Sequence, residues 1–219
     1  MKNKLITMLC ISVASLALGI AGFYLLSGNQ PEVIKSSSTL LYKSKADLMT
    51  DSDIIISGKV SSSRPGKWSN PGLVKGKRNI IQTDYIIDIN KIYKGIPYDD
   101  KKIAVRIDKG KAGDIEIISD SYPDFNIGEE VLLFLSKDDS DIANPDENYY
   151  VLTGALQGKF SVKETKETGK VFANDKDTIV LSRLEDEIKQ NIDRAIANPK
   201  PTRDAELVKA QNEKILGKE

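Results

Sequence analysis

Arg64, Lys67, Lys75, Lys77 and Arg78 surround Trp68, the one tryptophan of the chain, in the stretch SRPGKWSNPGLVKGKR, which holds no acidic residue. Basic groups beside a planar aromatic suit anionic lipid headgroups, an anionic wall polymer or an acidic protein surface. These six residues are the candidate interaction surface. The same stretch contains GLVKGK at 72–77, which falls one residue short of phosphate-loop spacing and has Arg78 where a magnesium-reaching Ser or Thr belongs. Its glycines are read as turn formers.

Carboxylates offer two further chemistries. Asp138, Asp139, Asp141, Asp146 and Glu147 crowd one turn-rich connection. No cofactor is expected of the chain, and the one cation that the 138–147 loop could hold is calcium, which takes several oxygen ligands from flexible loops. The loop lacks the Gly and terminal Glu of the EF-hand template and also reads as a solvated acidic turn. Asp84, Asp88, Asp108, Asp114 and Glu116 lie on or beside strands. Two of them held across a cleft could act as general acid and base on an envelope glycan.

Other chemistries are excluded. The 219-residue chain has no histidine, which removes Ser-His-Asp and Cys-His arrangements and the usual zinc ligand sets. The single cysteine, Cys10, sits within an apolar run, so the remainder of the chain has neither a thiol nor a disulfide. Lys+Arg and Asp+Glu are both 32, a balance without the global basic excess of a nucleic-acid binder.

The elements that must position these groups follow from the hydrophobic pattern. Leu5 to Leu26 is uncharged and, at 1.5 Å per residue, is long enough to cross about 30 Å of hydrocarbon. It exceeds a cleaved signal's apolar region and no A-x-A-like site follows it, so residues 5–26 are expected to be a transmembrane signal anchor. Residues 1–4, with Lys2 and Lys4, then form a short cytoplasmic N-terminus, and the remainder of the chain lies outside the cytoplasm. Secretion after signal cleavage is the alternative location.

Residues 27–38, with Gly, Pro and a serine run, read as a tether. A barrel domain is expected over 39–177. It opens with a short helix near Leu48 and Met49, for which Ser44 and Asp47 form a capping pair. Strands then recur at short spacing: IIISGKV, a long segment with Tyr85, Ile87 and Ile89, KKIAVRID with Ile103, Val105 and Ile107 alternating, VLLFLS, and two strands meeting at a bend near Gly154 to Gly158. VLLFLS is the most apolar of these and is expected to be central. Residues 178–199 supply a strand end and an amphipathic helix, with Leu184, Ile188, Ile192 and Ala195 at helical spacing and a capping box from Ser182 to Glu185. Residues 200–219 form a tail. The fold class is therefore an all-β core, a small OB-like barrel that is closed or partly open, flanked by two helices and preceded by a membrane segment.

The succession KADLMTDSDIIISGKV, YIIDINKIYKG, IAVRI, FNIGEEVLLFLS and YYVLTGALQGKF, spanning roughly residues 45–163, resembles netrin-like and tissue-inhibitor-of-metalloproteinase-like modules. A similar succession occurs in uncharacterised exported bacterial proteins. The resemblance implies an OB-type barrel, with Gly58, Lys94, Gly95, Gly128, Glu129 and Phe134 at matching fold positions. The inhibitors reach protease zinc through an N-terminal cysteine held by disulfides. This chain has no cysteine outside residues 5–26, so that mechanism does not carry over.

The resulting expectation is a membrane-tethered binding or protein-interaction module whose partner is an envelope protein, an anionic wall polymer or anionic lipid, with no nucleic acid. The alternatives are a carboxylate-dependent enzyme on an envelope glycan, and a structural subunit that docks through the helix from Arg183 to Ala197.

Overall fold

The computed structural model of the chain describes residues 32–70, 79–140, 142–165 and 169–198. Along them run β1 (Glu32–Ser36), α1 (Lys45–Asp51), β2 (Ile54–Ser63), β3 (Lys67–Trp68), β4 (Ile81–Lys94), β5 (Lys102–Ile107), β6 (Gly110–Ala112), β7 (Ile115–Ser119), β8 (Glu130–Ser136), β9 (Tyr150–Leu152), β10 (Lys159–Thr165), β11 (Gly169–Ala173), β12 (Thr178–Ile179) and α2 (Leu181–Ala197). A single 3-10 turn, Ala155–Gly158, joins β9 to β10 at the expected bend.

Strand β2 pairs antiparallel with β4 along one edge and with β8 along the other, and β4 pairs with β5. Strand β9 runs parallel to β5 and antiparallel to the end of β8, which closes a five-stranded barrel. Closure requires strong bending, and β2 and β4 supply it with three register slips, between Ile55 and Ile56, Ser57 and Gly58, and Val60 and Ser62. Gly58 sits at one of them, where an added Cβ would lie 2.5 Å from the Asp88 carbonyl oxygen. Only glycine permits that approach of β4.

The apolar run of β8 has a direct cause. Val131, Leu133 and Leu135 point into the barrel with Ile54, Ile56, Ile87, Ile103 and Val105. Leu132 and Phe134 point the other way, into a second core shared by α1, β10, β11, β12 and α2 through Leu48, Met49, Phe160, Phe172, Ile179, Leu184 and Ile188. A strand buried on both faces reads as continuous hydrophobicity instead of alternation. One edge of β8 is divided, its end pairing with β9 and its beginning with β10.

Helix α1 begins as its sequence predicts. The Ser44 Oγ accepts a hydrogen bond from the Asp47 backbone N–H, and the Asp47 carboxylate accepts one from the Ser44 N–H. Its far end is closed by a residue distant in sequence. The Lys94 Nζ donates to the carbonyls of Met49, Thr50 and Ser52 at 2.9, 2.9 and 2.6 Å, placing a cation at the negative end of the helix. Gly95 follows at φ 78°, over the Asp53 carbonyl. The Lys-Gly ending of β4 is thus a helix cap followed by a left-handed turn.

Helix α2 departs from its predicted start. It begins at Leu181 with Val180 as N-cap and no side-chain cap, so Ser182 lies inside the helix. Ile179 and Leu181 both pack into the second core, and this burial draws the chain into the helix before the capping box can act. The apolar stripe of α2 is used internally through Leu184, Ile188 and Ile192.

Residues 32–36 also differ from expectation. Instead of lying in a tether they form β1, parallel to β7, in a small sheet with β6. Only Val33 and Ile34 are apolar in this strand, too few to show a period against the surrounding Pro, Gly and Ser. Among the described residues no helix is long and apolar enough to cross a membrane, and residues 5–26 lie outside them.

Candidate functional site

The alternation that sends Ile103, Val105 and Ile107 into the barrel turns Lys102, Ala104 and Arg106 onto its outer face. Register then places Arg106 directly opposite Asp84 of β4. The Arg106 Nε and Nη2 donate to the two Asp84 oxygens at 2.6 and 2.9 Å, a bidentate pair with both side chains 2% exposed. Nη2 also donates to Glu147, and the Tyr149 ring lies 3.7 Å from the guanidinium carbon. The Lys67 Nζ donates to both Glu147 oxygens at 2.7 and 2.6 Å, and the Arg64 guanidinium is 3.5 Å from Asp84.

This clamp joins the connection after β2 to the connection after β8 across the outer face of β4 and β5. Its charges are matched. Burial works to lower the Arg106 pKa, but the bonds to Asp84 and Glu147 overcome it and raise the value. The Lys67 bond, reinforced by Arg106, holds the Glu147 carboxyl down at about 2. Burial, then the bond to Asp138, raises the Tyr149 hydroxyl.

Beside the clamp, a cavity of about 640 Å³ opens between the β4–β5 turn and residues 137–150. Tyr98, Tyr149, Tyr150 and Ile96 line it together with Asn144, Asn148, Asp138 and Glu147. The Tyr98 ring stacks on Tyr150 with centroids 5.3 Å apart and planes 8° from parallel. Its hydroxyl accepts a bond from the Ala104 N–H at 2.5 Å. Burial raises the Tyr98 hydroxyl pKa despite that bond.

Two further cavities lie against the small sheet. One of about 850 Å³ is bounded by β1, β7 and residues 122–124, and there Lys109 donates to Asp124 and to the Tyr122 carbonyl. The other, of about 380 Å³, is bounded by Trp68, Ile34, Asn79, Ile117 and Tyr122. In the larger, the half-buried Lys109 is already committed to Asp124. The tyrosine-lined cavity lies instead at the junction of the two bridged connections.

The structure separates the predicted basic surface into distinct tasks. Lys67 is tied to Glu147, Arg64 reaches toward Asp84 while 64% exposed, and Trp68 pairs with Ile81 through β3 and walls the small cavity beneath β1. Lys75, Lys77 and Arg78 lie outside the described residues. Three of the predicted carboxylates, Asp84, Asp88 and Asp108, are engaged as well. Asp84 holds Arg106, Asp88 is 3.2 Å from the Lys102 Nζ, and Asp108 accepts from Gln82 and Tyr122 at 2.9 and 2.7 Å. Glu116 borders the 850 Å³ cavity, and the Asp114 carbonyl accepts from the Glu32 N–H at 2.7 Å.

In the 138–147 loop, Asp138 accepts from the Tyr149 hydroxyl and Glu147 serves the clamp, while Asp141 lies outside the described residues. Among the described residues no three acidic side chains converge as a metal site requires. Arg106, Tyr98, Tyr149 and Tyr150 did not stand out in the sequence. The available signal was a single arginine inside the alternating run IAVRI, on the polar face of a strand that is buried at both faces. No protein-family model matches the chain, and no curated protein matches it.

Proposed function

We propose that the chain is a membrane-tethered extracytoplasmic binding module, whose barrel presents a recognition face between residues 64–68 and 138–149. The observation that supports this reading is the Asp84–Arg106–Glu147–Lys67 clamp, which holds two connections far apart in sequence as one preorganised surface beside a cavity. The barrel's ring order and its single parallel closure agree with an OB-type barrel and with the netrin-like resemblance. OB-type barrels bind through the face and loops that correspond to this surface. Fold analogy selects the face, and its chemistry must select the ligand.

Residues 5–26 serve as the anchor in this reading. Only residues 27–31 separate that segment from β1, a reach of roughly 20 Å at full extension, so the small sheet is held near the membrane surface. An envelope protein or wall polymer is the partner class.

The test is photo-crosslinking in the native envelope, with a photoreactive residue in place of Arg64, Asp146 or, on the exposed side of α2, Lys189. Products from Arg64 and Asp146 but not from Lys189 are expected. Equal products from all three positions, or products from Lys189 alone, would sink the assignment of this face.

A further inference from the structure

The unpaired groups of the molecule point to a ligand class. We propose that the cavity between the β4–β5 turn and the 137–150 segment is a glycan subsite, which takes a neutral pyranose ring against Tyr98. This rests on the binding-module reading and goes beyond it by assigning a site and a chemistry.

Tyr98 is a fixed aromatic plate. One contact is its stack on Tyr150, a second is the Ala104 N–H on its hydroxyl, and a third joins its own backbone N–H to the Tyr150 hydroxyl at 3.3 Å. Despite these restraints the residue is 41% exposed, and Ile96, two positions earlier, is 92% exposed. A solvent-facing tyrosine and isoleucine on a tight turn form an apolar surface that nothing else in the described fold covers. Because the ring is already immobilised, a ligand resting on it avoids most of the side-chain ordering cost of association.

The rim supplies polar recognition. Asn148 has no hydrogen bond to another described residue, and Asn144 uses its Oδ1 for the Asp146 N–H, leaving its amide nitrogen available. The Lys137 side chain completes the rim. A pyranose has an apolar C–H face edged by hydroxyls, and an apolar plate edged by amides and an ammonium matches it in both parts. The volume of about 640 Å³ lies within the range of small-molecule sites.

Charge chooses among ligands that stack. The charged groups beside the cavity are already committed, Glu147 to Arg106 and Lys67 and Asp138 to the Tyr149 hydroxyl, so a phosphodiester or a uronate entering it finds only Lys137 on the lining as a cation. A nucleic-acid strand, which needs a cationic track for its backbone, does not fit this wall.

The experiment uses the full chain in lipid nanodiscs, with chitotetraose as the neutral probe and a tetrasaccharide of galacturonate as the charged one. Saturation-transfer NMR reads contact with sugar ring protons, and titration gives affinity. Chitotetraose is expected to bind, with Tyr98→Ala weakening it about tenfold and Tyr98→Phe, which keeps the ring, within about threefold of the parent. Asn148→Ala, an exposed change that leaves folding intact, should weaken binding about threefold, and the galacturonate probe should bind at least about tenfold more weakly than chitotetraose. Equal affinity for the folded Tyr98→Ala and Asn148→Ala variants, or preference for the uronate, overturns the assignment. If chitotetraose fails to bind while crosslinks persist at Arg64 and Asp146, the glycan subsite falls and the binding-module reading stands. Loss of both brings both down.

Discussion

The clamp and the cavity lie side by side on one barrel face, yet they handle polar groups in opposite ways. In the clamp every charge is matched, with Arg106 held by Asp84, Glu147 and the Tyr149 ring, and Lys67 held by Glu147. In the cavity an aromatic plate stands exposed, and Asn148 is uncommitted among the described residues. Buried charge must be satisfied internally because desolvation is costly, whereas exposed groups can wait for a ligand. The difference teaches that the most polar feature of this face is its scaffold, and that the groups left uncommitted lie in the less charged neighbour.

Breaking the clamp should have the largest effect. Arg106→Ala leaves the buried Asp84 with only the exposed Arg64 at 3.5 Å, and about 3 kcal/mol of stability should be lost in urea unfolding. The comparison sharpens if both partners go. Arg106→Met combined with Asp84→Leu should recover most of that loss, since replacing a buried pair by apolar groups is often nearly neutral. A double variant as unstable as Arg106→Ala alone would show that the arginine acts mainly through Glu147 and Tyr149.

On the cavity side, Tyr98→Ala removes the stack on Tyr150 and should cost about 1 kcal/mol, measured in the same way. The acid limb gives a smaller effect. The Glu147 pKa is depressed when folded, so its contribution is present above the ordinary carboxylate range and disappears as pH falls from about 4.5 through about 2. Glu147→Gln should remove that portion of the acid dependence, worth less than about 1 kcal/mol for an exposed carboxylate, and an unchanged stability–pH curve would place the acid sensitivity elsewhere. Smallest of all, Asn148→Ala should alter stability by no more than about 0.5 kcal/mol, because nothing in the described fold leans on that side chain.

Much of the barrel was legible because its determinants are local. The alternation of Ile103, Val105 and Ile107 survives intact in β5, and the Ser44–Asp47 box starts α1 as the spacing demands. Lys94 and Gly95 were recognisable as a motif, but their purpose was not, since the carbonyls that Lys94 caps lie more than forty positions earlier. Strand β1 was obscured by its two apolar residues in a polar segment. The box at Ser182 does not start α2 because the burial of Ile179 and Leu181 outweighs a local cap.

The site was less legible for the same physical reason. Trp68 and the basic residues around it were conspicuous by composition, but composition does not reveal which charges will find partners. Arg106 meets Asp84 at a separation of 22 positions and Glu147 at 41, and those meetings depend on strand register and barrel closure.

The sequence by itself determined the strands of the barrel, their buried faces, the first helix and the absence of thiol and imidazole chemistry from the barrel, because periodicity and residue type act over short distances. Tertiary structure alone decided that the acidic and basic connections neutralise each other over β4 and β5. It alone brought Tyr98 against Tyr150, since pairing β5 with β9 across the closed ring is a long-range event that no local pattern encodes.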